Sequence, residues 1–317
     1  MKRIFVGPKQ ATIENSDFFD ASITLFGNNT NNNTSFQNQV TFEFWNPDNT
    51  SLEIDIYNHE VAKLSQPTEI MAHNPKTVFH CTLPDNVYLI CKNDQSTLEI
   101  LDDKIQTRNL LKNVVPMLDY YTIKGQDFDY QQLCSISCDL VVQLPFGGGG
   151  SKTFLCNQRN NREIKSRLEL QKDYSISAYQ HDNVPYNIHC LVGYDQIELL
   201  PPSQQKLEIS DKIEYNGSDY NINIPAYIKN KLVQYSNEVC KKVQIMGYRG
   251  VLGIDYIETR GELYFIEINP RFQGSTPQAD ALLKKSQLPS IFDYNYRAFE
   301  RKEMPSTKNM LLSILHL

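Results

Sequence analysis

Gly253-Ile254-Asp255-Tyr256-Ile257-Glu258-Thr259-Arg260-Gly261-Glu262-Leu263-Tyr264-Phe265-Ile266-Glu267-Ile268-Asn269-Pro270-Arg271-Phe272-Gln273-Gly274-Ser275-Thr276 reads as two β-strands around a tight turn, then a polar loop. Asp255 follows the apolar run Val251-Leu252-Gly253-Ile254, while Glu267 and Asn269 alternate with Ile266, Ile268 and Pro270. Side chains two apart on a strand share a face, so Glu267 and Asn269 point the same way. Pairing through the 258–262 turn, where Gly261 suits a hairpin, brings Asp255 beside them as a third oxygen donor. Such a set suits Mg²⁺, which keeps several waters and bridges to substrate phosphates. The plainer reading is the solvated face of an antiparallel hairpin. Arg271, directly after Pro270, favours the first: a planar cation beside carboxylates can hold a phosphoryl group or a carboxylate bidentately.

Working outward, Pro225 opens a segment whose apolar residues Ile228, Leu232, Tyr235, Val239, Val243 and Met246 recur at spacings of three and four, with Gly247 at its end. This predicts one long amphipathic helix. Strands are expected over 139–144, 152–156, 174–179 and 186–192, as a small antiparallel domain. Between the first two lie Phe146, glycines 147 to 150, Ser151, Lys152 and Thr153. Four glycines let a backbone come close to phosphate and aim several N–H groups at it; a flexible hairpin tip is the bland alternative. A P-loop is excluded because Lys152 follows Ser151 instead of glycine and both flanks read as strands.

Upstream, Asp102 or Asp103 is placed to cap a helix over Ile105 to Leu111, with Lys104 at its start. The first hundred residues show short β-type runs (3–6, 40–45, 52–56, 77–81 and 87–91), predicting a small sheet-containing domain. The asparagine-rich stretch 27–39 interrupts them as a loop.

The 253–276 string strongly resembles the C-terminal signature of ATP-grasp ligases, and the likeness extends over about residues 100 to 300. It implies an α+β / α/β protein with three parts: an N-terminal preATP-grasp α/β domain (1–100), a small antiparallel lid (101–200) and a C-terminal subdomain (201–317). By that resemblance Asp255, Glu267 and Asn269 hold magnesium, two ions being expected and Mn²⁺ serving as a substitute. Asn269 and Arg271 are the catalytic candidates, with Arg271, Gly274, Ser275 and Thr276 meeting the substrate. Gly147, Gly148, Gly149, Gly150, Ser151 and Lys152 form the lid loop over the ATP triphosphate, and Lys104 resembles a nucleotide-binding lysine. Gln143 stands where the family usually has a second one, which removes a positive charge from the site. The segment 164–169 corresponds to the hinge near the adenine.

The implied reaction converts a carboxylate, such as an amino acid's, to an acyl phosphate and passes the acyl group to an amine. A carrier-protein thiol is the alternative acceptor, and a nucleotide-binding relative without catalysis is the alternative from another class. A homodimer stays open. The 317-residue chain, 40% hydrophobic, is long enough for two or three packed domains. Its net charge of −6 argues against nucleic acid as a partner. Seven cysteines without zinc-type spacing read as reduced packing residues. Without a signal-peptide core or a run of about 20 apolar residues, the expectation is a cytoplasmic protein away from the membrane.

Overall fold

The computed structural model describes residues 1–7, 16–24, 39–41, 50–78, 80–147, 152–210 and 212–315. Most of the asparagine-rich stretch, and Gly148, Gly149, Gly150 and Ser151, lie outside them. Among the described residues no helix is long and apolar enough to cross a membrane.

The N-terminal part is a five-stranded parallel sheet in the order Gln39–Thr41, Ala21–Thr24, Lys2–Gly7, Thr68–Ala72, Val87–Leu89. Its central strand carries Ile4, Phe5 and Val6 in succession because both faces are covered, which is how parallel strands read. Two expected strands are helical instead. Residues 52–56 lie in the helix Thr50–Val61, which seats Tyr57 and Val61 on Ile4, Val6, Ile23 and Ile70. The alternation over five residues misled because strands running in parallel must be joined by crossovers, and this helix is one. Likewise 77–78 belong to the helix Pro75–Val78, whose start is set by Asn74 Oδ1 accepting from Lys76 N at 3.1 Å and by a proline at the first helical position.

The lid is a four-stranded antiparallel sheet ordered Tyr120–Lys124, Asp173–Ala178, Leu140–Gln143, Thr153–Cys156. The helix Asn161–Arg167 closes its core, with Ile164 fully buried on Leu140, Val142 and Ile176. The 164–169 segment is thus mostly the lid's own helix, and the chain leaves the lid sheet at residues 179–182.

The largest sheet has six antiparallel strands, with Asn183–Val192 pairing along its whole length with Gly250–Thr259, which in turn pairs with Glu262–Asn269. The strand expected over 186–192 therefore joins this sheet and not the lid. On one face Ile188, Cys190, Leu252, Ile254 and Tyr256 pack under the helix Ala226–Ile245, through Ile228, Leu232, Val239 and Val243. Burial of this stripe, not helix propensity, is what fixes a helix of that length. The opposite face is left to polar residues in its middle. Beyond them Leu191, Val251 and Phe272 join Phe5, Phe19 and Met71 in a core that ties the parallel sheet to the large one.

Candidate functional site

The turn between the two acidic strands is Arg260-Gly261, both with positive φ (54° and 79°), as a two-residue hairpin of the type that matches strand twist requires. From there the register is set so that Glu262 faces Thr259 and Phe265 faces Tyr256. A bulge then inserts Ile266, after which Asp255 faces Glu267 and Gly253 faces Asn269. A bulge re-aims the side chains that follow it, and here it puts Glu267 on the same face as Asp255 while Phe265 and Ile268 stay in the core.

Cross-strand partners share a face, so the row Glu267, Asp255, Asn187, Ser203 runs across four strands. Asp255 is 9% exposed. Its Oδ1 accepts from Asn187 Nδ2 at 2.6 Å and Gln205 Nε2 at 3.1 Å, and its Oδ2 from Asn269 Nδ2 at 3.1 Å. Burial, then the like charge of Glu267, pushes the Asp255 carboxyl up to about 7, against the hydrogen bonds from Asn187 and Gln205. Asn269 Nδ2 also lies 3.4 Å from Glu267 Oε1, while its Oδ1 accepts from Arg271 Nη2 at 3.0 Å. Glu267 Oε2 is 3.2 Å from Lys104 Nζ.

Lys104 is buried although it is a lysine. Asp103 caps its helix, Lys104–Leu111, by accepting from Ile105 N and Gln106 N at 2.9 Å each, and this fixes where the lysine leaves the backbone. Its Nζ donates to Gly147 O at 2.7 Å, so one ammonium joins the glycine loop to the acidic hairpin. Gln143 ends the strand before that loop, its Nε2 donating to Thr153 Oγ1 at 3.2 Å. Lys152 is exposed, with a φ of 60° and its carbonyl accepting from Leu144 N at 3.2 Å.

Past Arg271 the chain folds over this face. Gly253 is needed there: a Cβ would sit 1.7 Å from Gln273 Nε2. Gly274 passes so near Tyr215 that a Cβ would meet its ring at 2.9 Å, and Ser275, buried, starts the helix Thr276–Lys285. His189 lies below, with Tyr220 Oη and Thr276 Oγ1 each 3.5 Å from a ring nitrogen, and complete burial lowers its pKa to about 4, keeping it neutral.

Asp255, Glu267, Asn269, Arg271, Lys104, Gln143 and Gly147 therefore gather where lid, hairpin and lead-in helix meet. Asn187, His189, Gln205 and Gln273 are there too, and sequence reasoning passed over them; Arg108, noted in that reasoning only as part of the string around Lys104, joins them. Asn187 and His189 had a signal, as the two polar positions on one face within the otherwise apolar run 184–192; Gln205, in Ser203-Gln204-Gln205-Lys206, had none.

The donor set fits magnesium: two carboxylates and an amide leave room for the waters the ion keeps. Among the described residues no three His, Cys, Asp or Glu side chains cluster as a metal site would require if built from those alone. Two buried polar atoms beside the pair, Asn187 Oδ1 and Gln273 Nε2, lack a hydrogen-bond partner among the described residues. That cost is tolerated at places where a ligand or water completes the bonding.

A sequence profile of the ATP-grasp domain matches residues 101–275. A [butirosin acyl-carrier protein]–L-glutamate ligase of Niallia circulans is 26% identical over 192 residues, 56% of this chain and 45% of that protein. A D-alanine–D-alanine ligase of Fusobacterium nucleatum is 26% identical over 156 residues, 48% of this chain and 50% of that one. The chain thus spans about half the length of these curated relatives. An L-amino acid ligase from Bacillus licheniformis has a similar structure, with a TM-score of 0.63 at 12% identity over 95% of this chain and 74% of that one. With the profile covering more than half of its length, and a lid sheet and an acidic antiparallel sheet meeting at one polar seam, the chain belongs to the ATP-grasp family.

Proposed function

We propose that this chain is an ATP-dependent ligase that activates a small carboxylate, such as an amino acid's, and joins it to an amine. The observation that carries the reading is Lys104, whose ammonium lies 2.7 Å from the Gly147 carbonyl and 3.2 Å from the Glu267 carboxylate. A cation at that junction lies where a triphosphate would bridge the glycine loop and the metal carboxylates. Gly147 and Lys152, the two described ends of the glycine loop, line the phosphates, and Lys104 and Gln143 flank them. Asp255, Glu267 and Asn269 hold magnesium, which when bound neutralises the charge of the phosphates.

The substrate carboxylate attacks the γ-phosphorus, ADP leaves, and the acyl phosphate is attacked at carbon by the amine, with phosphate departing. Arg271 holds the anionic end of the substrate or the transferred phosphoryl group, and the loop that carries Gly274 and Ser275 meets the substrate. The chain's own part is to position the reactants and exclude water. Similarity to the Niallia acyl-carrier-protein ligase supports a second reading, transfer to a carrier-protein thiol. The reaction belongs in the cytoplasm, where ATP is available.

Phosphate release from ATP, screened with amino acids singly and in pairs and with a phosphopantetheine thiol, tests the activity. Glu267→Gln should keep the fold and cut ADP formation by orders of magnitude. Survival of turnover in that variant removes the metal assignment, and ATP binding with no acid-dependent ADP release across the panel removes the ligase reading.

A further inference from the structure

Arg108 lies on the helix Lys104–Leu111, one turn beyond Lys104 and on the same face, and is 7% exposed. Its three nitrogens reach three different strands. Nε donates to Ile266 O, the carbonyl of the bulge residue, at 3.3 Å. Nη1 donates to Ser175 Oγ at 2.6 Å and Nη2 to Gln143 Oε1 at 3.4 Å, both on neighbouring lid strands. Among the described residues no carboxylate is at ion-pair distance, and burial lowers the guanidinium's pKa, with Glu267 the leading influence against it. A buried cation without a close counter-ion is costly.

Two consequences follow from the chemistry of arginine. A guanidinium only donates, so the Gln143 amide must turn its oxygen to Arg108 and its nitrogen away, toward Thr153. A cationic side chain in place of Gln143 would also bring two positive charges to about the distance of a hydrogen bond. Positions 108 and 143 therefore share one positive charge.

We propose that Arg108 is the positioning residue of the nucleotide site: it supplies that charge from behind Gln143 and holds the lid sheet against the bulge that aims Glu267. The proposal rests on the ligase reading above, and its anionic ligand is the magnesium complex of a nucleoside diphosphate or triphosphate.

The test is a charge relocation. Mg·ADP affinity is measured by calorimetry on the wild type, Arg108→Gln, Gln143→Lys and the double variant, with melting temperatures recorded in parallel. Arg108→Gln should weaken Mg·ADP tenfold or more by removing the charge, whereas Gln143→Lys should bind it at least as tightly as the wild type, because the anion relieves the repulsion between the two cations. The double variant should return to within about threefold of the wild type, a recovery that a purely structural arginine would not give. In whichever variants turn over, the loss should fall on KM for ATP more than on kcat. Unchanged affinity in Arg108→Gln, weaker binding in Gln143→Lys, or a double variant as weak as Arg108→Gln each overturns the proposal. If Arg108→Gln does not fold, Arg108→Lys decides in its place: with the charge kept it should bind Mg·ADP within about threefold of the wild type, and a tenfold loss overturns the proposal. Failure of the ligase reading is distinct: the wild type itself would then show no acid-dependent ADP release.

Discussion

Asp255→Asn removes the charge that folding treats worst while leaving the shape of the site. The carboxyl rises from its ordinary 3.8 to about 7 because it is buried beside Glu267. At about 1.36 kcal/mol for each tenfold step, the rise makes ionisation cost on the order of 4 kcal/mol at most. The sign follows from proton counting: between about pH 4 and pH 7 the folded protein holds a proton here that the unfolded chain has lost, so stability falls as pH rises through that window and is flat outside it. An asparagine keeps an oxygen for Asn187 and Gln205 but turns an N–H toward Asn269 Nδ2, which lies 3.1 Å from the native oxygen. That donor–donor contact costs about 1–3 kcal/mol at every pH. Urea denaturation in EDTA at pH 4, 5, 6, 7 and 8 should therefore show the variant gaining on the wild type by a few kcal/mol as pH rises, whatever the starting offset. Titrated with Mg²⁺ and ADP, the wild type should bind more tightly as pH rises toward 7, because the ion displaces the proton, and the variant should bind far more weakly throughout. A difference in stability that does not vary with pH, or that grows in the wild type's favour, refutes the electrostatic account of this carboxyl.

Asp103→Ala, which loses the cap on Ile105 N and Gln106 N, should lower stability by about 1 kcal/mol in a denaturant titration and raise KM for ATP, since Lys104 is the next residue. Gly253→Ala puts a Cβ 1.7 Å from Gln273 Nε2; it should cost about 1–3 kcal/mol as overpacking and depress turnover by more than the loss of folded protein explains. Phe272→Ala empties a site whose ring centroid lies 5.0 Å from that of Phe292 and 6.4 Å from that of Phe5. A loss of about 3–5 kcal/mol is expected, together with a two-step unfolding curve as the parallel sheet separates from the large one.

The parts of the fold legible in the sequence were those with long periods. Twenty residues of helix Ala226–Ile245 repeat their apolar stripe many times over, and the hairpin carries its own turn chemistry at Arg260-Gly261. In the N-terminal third the helices were not legible, because Leu52-Glu53-Ile54-Asp55-Ile56 satisfies a strand's alternation over five residues and only the parallel pairing around it demands a helix. The clustering of the candidate site was legible where chemistry-bearing side chains stand on predicted elements, as with Lys104, Glu267 and Asn269. It was not legible where neutral amides arrive from a distant strand, as Gln205 does.

The bulge at Ile266 shows how a correct placement can rest on incomplete grounds. Alternation alone puts Ile266, Glu267, Ile268 and Asn269 on successive faces, but it does not say which face meets Asp255. Carried on from Phe265 opposite Tyr256, a regular ladder would set Ile266 against Asp255 and send Glu267 toward the helix Ala226–Ile245, where a carboxylate would be buried among Leu232, Val239 and Tyr256. One extra residue prevents this, at the cost of ladder bonds that Ile266 gives up. Its carbonyl is met at 3.3 Å by Arg108 Nε, so the element that supplies Lys104 also steadies the strand that presents Glu267. The acidic hairpin, the lead-in helix and the lid are therefore joined through Arg108. A change at Arg108 should be felt at Glu267 through the bulge before it is felt in the stability of any single sheet.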